Sequence, residues 1–244
     1  WLHNAFLTIA KEKMSKSLGN FFLARDFLKQ FSGEIARYML LSVHYRSVID
    51  FGEDSLEQAL TGLHRIYEAK AKALEISSAR RAVADQRAEA AWGSFAAECE
   101  KVRREIDEAY ANDLNSPGAL AALFTLIREF NRTLAEPLAQ ATPSAAIGAQ
   151  ELIKVMEQDI GDVLGIARAH PSRALEDLAR IRGQRPSATG VAKPLEPEIR
   201  AAIQARADAR QAKDFAKADQ IRKDLEARGV IIKDGAGGTT WEYQ

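Results

Sequence analysis

The densest chemistry in the sequence lies at Glu12-Lys13-Met14-Ser15-Lys16-Ser17-Leu18-Gly19-Asn20. Two lysines three residues apart, spaced by small hydroxyl residues and followed by Gly-Asn, suit a mobile loop that carries ammonium groups to a polyphosphate. Charge of this kind accelerates a reaction only where it is felt more strongly in the transition state than in the ground state, as when negative charge grows on a departing pyrophosphate. A lysine on its flexible stem acts there as a point charge. A Lys-x-x-Lys pair alone is usually a solvated basic turn, whereas here nine residues in order carry the signal.

Such a loop needs a folded body to aim it, and the composition supplies one. The 244 residues include 34 basic and 34 acidic side chains, with 46% apolar and 28% charged residues. That is ordinary for a globular chain and unlike disordered or collagenous ones. No run approaches the roughly 20 apolar residues of a membrane helix. Cys99 stands alone, so it forms no intramolecular disulfide and offers no Cys pair to zinc; a reducing, cytoplasmic setting is expected. His3, His44, His64 and His170 lack ligand spacing, and no metal site is expected. The opening Trp1-Leu2-His3-Asn4-Ala5-Phe6 has neither an initiator Met nor signal-peptide order and reads as a cut from something longer. Zero net charge conceals a division. Residues 1–48 hold 7 basic and 3 acidic residues, 49–164 hold 12 and 20, and 165–244 hold 15 and 11. Basic ends around an acidic middle fit a protein that touches one polyanion at two places.

Helical periodicity fills the middle. Ser55 with Gln58 predicts a capping-box start, followed by the stripe Leu56, Leu60, Leu63, Tyr67 and Leu74. Trp92, Phe95, Cys99, Val102, Ile106 and Ala109 form a second stripe, which makes Cys99 a buried, inert thiol. Ser116 is expected to cap a third helix beginning at Pro117, with Leu120, Leu123, Phe124, Ile127, Phe130 and Leu134 apolar. A fourth runs from about Ser144 to Leu164 through Ile147, Leu152, Met156, Ile160 and Val163, and stops at Gly165. Four such helices predict an antiparallel bundle over 49–168. Residues 169–197, rich in Pro and Gly, read as an exposed linker. Two helices meeting near Asp214, then Val230-Ile231-Ile232, a Gly-rich turn and Thr239-Thr240-Trp241, predict a small α+β domain over 198–244, with Trp241 and Phe215 needed for packing. The chain is thus expected to be mainly α, with residues 1–48 carrying the loop and a segment that joins it to the bundle.

Lys13-Met14-Ser15-Lys16-Ser17 is similar to the KMSKS signature loop of class I aminoacyl-tRNA synthetases. The chain most closely resembles the C-terminal part of the cysteinyl-tRNA synthetase family. His3-Asn4, Leu18-Gly19-Asn20-Phe21-Phe22 and Leu40-Leu41-Ser42-Val43-His44-Tyr45-Arg46-Ser47 carry that likeness. So do Asn112-Asp113-Leu114-Asn115-Ser116-Pro117-Gly118-Ala119-Leu120, the run from Ala209 to Asp219, and Gly238-Thr239-Thr240-Trp241. Leu114 departs from the pattern, standing where the family usually has an aromatic.

The resemblance implies ATP-dependent joining of cysteine to its tRNA through cysteinyl-adenylate, with Mg2+ accompanying the ATP. Lys16 would stabilise the pyrophosphate leaving group, assisted by Lys13 and Ser15. The bundle would support the tRNA of a monomeric enzyme, and Arg210, Phe215, Asp219 and Asp234 would read the anticodon. A guanidinium donates in pairs to guanine, carboxylates accept from exocyclic amines, and an aromatic face stacks on an unpaired base. On the residues alone, Arg210 and Asp219 are equally solvated surface charges, Asp234 a turn former and Phe215 a core residue. The family's ATP motif, cysteine pocket and zinc ligands belong upstream of Trp1, so the chain by itself is expected to be catalytically incomplete. Two other readings stay open: a stand-alone tRNA-binding module, and a related cysteine ligase with an amino-sugar acceptor, against which the terminal domain speaks.

Overall fold

A computed structural model describes residues 1–9, 12–15, 23–78, 83–184, 196–211, 214–227, 230–235 and 238–243. The chain divides into two compact units, Trp1–Glu176 and Asp177–Gln244. Each is mainly helical.

The first unit opens with strands β1 (Leu7–Ile9) and β2 (Glu12–Lys13), which pair antiparallel with Thr8 opposite Lys13. Helices α1 (Ala24–Gln30) and α2 (Gly33–Leu41) follow, the latter capped where the Ser32 side chain accepts the Ile35 N–H. Strand β3 (Ile49–Asp50) then returns parallel to β1, closing a sheet of order β2-β1-β3. The short strands that frame the loop were not legible in the sequence.

Helix α3 spans Glu53–Ser78, starting three residues before the Leu56 that a Ser55 cap predicts. Ser55 lies inside the first turn, where its hydroxyl accepts the Gly52 N–H and donates to the Gly52 carbonyl. Helix α4 (Gln86–Ala111) is capped by Asp85, which accepts the Ala88 N–H. Asn115, not Ser116, caps α5 (Ser116–Leu134) by accepting the Gly118 N–H. The Ser116 hydroxyl instead donates to the Leu41 carbonyl. Helix α6 (Pro143–Lys154) passes into a π-helical stretch, Val155–Gly161, and the short α7 (Asp162–Leu164). Ile147 and Val163 are exposed, against expectation. Helix α6 turns its small residues Ala145, Gly148 and Ala149 inward with Leu152, and the π stretch widens the turn and re-aims the face beyond it. Gly165 ends the run at φ +67°, as expected.

Helix α3 packs along α6 and α4 along α5, whereas α3 and α5 meet over only a short stretch. The aromatic centre of this bundle is Trp92, Phe95 and Phe130, with centroids 5.6–6.0 Å apart. Trp92 Nε1 donates to the Ala139 carbonyl at 2.9 Å, which fixes the indole in place. Lys70, in the third quarter of α3, is buried. Its Nζ donates to the carbonyls of Ala167 (2.7 Å) and Ala169 (3.3 Å) and lies 2.8 Å from Glu157. Glu34, protonated more readily than usual because burial disfavours its charge, accepts from Tyr67 Oη and from the Ala167 N–H. These partners hold Ala167 at φ +64°, a conformation costly for a residue with a Cβ.

Half of the expected linker is helix α8 (Pro171–Gln184). Its apolar residues Ala174, Leu178 and Ile181 recur at four and three and are buried, and Pro171 sits at the helix start, where its missing N–H costs nothing. Dense charge around them hid the periodicity.

In the second unit α9 (Glu196–Gln211) and α10 (Phe215–Ala227) pack together, and α10 packs on β4 (Val230–Gly235). Asp214 caps α10 by accepting the Lys217 N–H. Strand β4 pairs antiparallel with β5 (Gly238–Tyr243), Val230 opposite Tyr243 and Gly235 opposite Gly238. Ile199, Leu225, Val230 and Ile232 make the core, with Ile203, Ile221 and Trp241 packed on it.

Candidate functional site

Lys16, the residue expected to matter most to phosphate, lies outside the described residues, as do Ser17 to Phe22. Lys13 and Ser15 stand at the end of the β1–β2 hairpin. The Lys13 ammonium sits 4.3 Å above the Phe6 ring, a cation–π contact at an exposed position. The Met14 N–H donates to the Leu7 carbonyl at 3.2 Å, continuing the hairpin past Lys13. Thr8 Oγ1 donates to Asp50 Oδ1 at 2.8 Å, tying this hairpin to β3 and the start of the bundle. The base of the loop is therefore fixed by backbone pairing, with Lys13 exposed at its edge.

The structure joins two segments that the sequence presented separately. Asp113, in the turn between α4 and α5, accepts from Tyr45 Oη at 2.5 Å and from Arg46 Nε at 2.5 Å, with Arg46 Nη2 3.2 Å away. His44 Nε2 lies 3.1 Å from the Asp113 carbonyl. Hydrogen bonds from Arg46 and then Tyr45 hold the Asp113 carboxyl at a pKa of about 2. The same bond to Asp113 raises the Tyr45 phenol. Asp113 and Leu114 both adopt positive φ, 57° and 54°, and the clamp secures that turn. No role was assigned to these residues from sequence, since 67 positions separate Arg46 from Asp113 and spacing gives no sign of their meeting. Leu114 projects from the turn, 58% exposed.

Of the four residues expected to read an anticodon, all fall in the second unit. Arg210 is exposed in the last turn of α9, and Asp219 is exposed on α10. Phe215 opens α10, and Asp234 pairs with Thr239 in the hairpin. Lys13 and Ser15 belong to the first unit. Cys99 is buried in the bundle seam, and burial pushes its thiol up to about 12, so it is inert at neutral pH. Among the described residues no group of three or more His, Cys, Asp or Glu could hold a metal ion, and no helix is long and apolar enough to cross a membrane.

Three family models match the chain in succession. They are the tRNA synthetases class I (C) catalytic domain over residues 1–61, the DALR domain over 105–168, and the cysteinyl-tRNA ligase anticodon binding domain over 192–241. The class that these segments define is the class I aminoacyl-tRNA synthetases. Within it, the chain corresponds to the C-terminal part of cysteinyl-tRNA synthetases. It is 38% identical to the cysteine–tRNA ligase of Geobacter sulfurreducens across 100% of the chain and 47% of that relative. With that of Thioalkalivibrio sulfidiphilus it is 36% identical over 99% of the chain and 44% of the relative. The ligase of Geotalea daltonii is 37% identical over 100% of the chain and 49% of its own length. The chain thus spans about half the length of the curated relatives it matches.

Proposed function

We propose that this chain supplies the signature loop and the tRNA-binding portion of a cysteine–tRNA ligase, which uses ATP to join cysteine to its tRNA through cysteinyl-adenylate. The observation that carries the reading is the order of three family segments along one chain, with 38% identity to a cysteine–tRNA ligase across the whole of this chain. On this reading Lys16, Lys13 and Ser15 act on ATP, delivering positive charge as pyrophosphate departs. Residues 21–48 join the catalytic half to the bundle at 49–168, which supports the tRNA. Arg210, Phe215, Asp219 and Asp234, in the unit at 198–244, read the anticodon. Mg2+ would arrive with ATP, whereas zinc, if the enzyme uses it, would be held by residues outside this chain. A stand-alone tRNA-binding module is the second reading, favoured by the anticodon-binding match at 192–241 falling within a compact unit separate from that of the signature loop.

The test is a titration of the chain with cysteine tRNA and with the same tRNA carrying a changed anticodon, at two salt concentrations. Preference for the native anticodon by about 1–3 kcal/mol per misread base is expected. Equal affinity would withdraw the four anticodon residues while leaving Lys13 and Lys16.

A further inference from the structure

The short meeting of α3 and α5 leaves a groove of about 560 Å³ on the bundle surface. Its walls carry Arg65, Glu68 and Lys72 from α3 and Arg128 and Asn131 from α5, over a floor of Ala69, Phe124 and Ile127. Three cations around one groove stand out in a segment with 12 basic and 20 acidic residues. Several other cations of the bundle are matched: Lys101 pairs with Glu98 and Glu105, Arg103 with Glu100 and Glu151, Lys154 with Glu151, and Arg132 with Glu129, while Arg104 stands alone on α4 among the described residues. Arg65, Lys72 and Arg128 form no ion pair among the described residues. Glu68, the acid within the groove, has its Oε2 3.2 Å from His64 Nδ1. Arg128 is steadied by a bond from Nη2 to Thr125 Oγ1 at 3.0 Å.

We infer that this groove is where the bundle takes hold of RNA, with Arg65, Lys72 and Arg128 neutralising backbone phosphates. Arg65 and Lys72 are seven residues apart on one helix, about two turns and roughly 10 Å. Arg128 faces them from the adjacent helix. This triangle grips a stretch of backbone rather than one isolated anion, and planar guanidiniums on both walls suit phosphate oxygens. At the far end the groove continues past Arg65 and Phe124 toward Asp54 and Glu57, whose charge repels phosphate and sets where the strand leaves. The inference rests on the tRNA-binding reading and adds a place and three residues to it. Contacts of this kind position the RNA and carry no sequence information.

The experiment compares the chain with its Arg65→Ala/Lys72→Ala/Arg128→Ala variant, titrating cysteine tRNA and the changed-anticodon tRNA across a salt series. Lys101→Ala, on a paired cation, serves as the control. The triple variant is expected to bind both RNAs about tenfold more weakly near 0.1 M salt, with the salt slope reduced by roughly 0.7–0.9 for each contact removed. An unchanged thermal midpoint would accompany that loss. Unchanged affinity and slope would overturn the inference, as would loss of poly-glutamate binding with RNA binding intact, which would assign the groove to an acidic protein segment. Native-anticodon preference with no loss in the triple variant sinks the groove alone. Equal loss on both RNAs by a chain without anticodon preference sinks the anticodon reading and leaves the groove standing.

Discussion

Asp113 is one carboxylate doing the work of a hinge pin: it ties Tyr45 and Arg46 to a turn whose backbone would otherwise resist two consecutive positive φ values. Because its pKa is about 2 in the folded chain, below the ordinary aspartate range, its stabilising charge is fully present above about pH 4 and is lost as pH falls toward 2. Asp113→Asn should therefore be less stable than the parent at neutral pH, with the gap closing between about pH 4 and pH 2. Denaturant midpoints measured across that range check this. A gap that stays constant to pH 2 would mean that the charge of Asp113 contributes nothing and only its shape matters.

Helices declare themselves by repetition, and the bundle illustrates both the reach and the limit of that signal. The Trp92-to-Ile106 stripe is buried residue for residue, because nothing interrupts a single face over 26 residues. Ile147 misled because α6 packs through small residues, which carry little hydrophobic signal yet permit the closest approach. Gly148 shows why: a Cβ there would overlap the Trp92 ring, which its bond to Ala139 holds in place. Gly148→Ala should cost about 1–3 kcal/mol, read as a lower denaturant midpoint with an unchanged m-value. A neutral result would show that the indole can give way. The Lys70 and Glu34 contacts were illegible for a different reason, since their partners, Ala167 and Ala169, lie about a hundred positions away and offer only backbone atoms. In the candidate site, the loop and the terminal helices were legible as ordered runs of residue types, while the groove was not, because it depends on which two helices fail to pack closely.

At the level of the whole molecule, the core cluster of the second unit holds, among the described residues, four buried aliphatics and a few flanking side chains, so each carries a large share of its stability. Ile232→Ala should remove about 2–5 kcal/mol and strip hydrogen-exchange protection from α9, α10 and the β4–β5 hairpin together. Protection retained in both helices would mean that the hairpin is not part of their core. The first unit carries a marker of its own in the sequence's single cysteine, which sits 1% exposed in the bundle seam. A thiol reagent added to the native chain finds its target only when α4 parts from its neighbours, so the rate of labelling is a clock for opening of the bundle. Because no second thiol competes, a cysteine placed on the surface would take a dye alone, and binding could be followed by fluorescence without first removing Cys99.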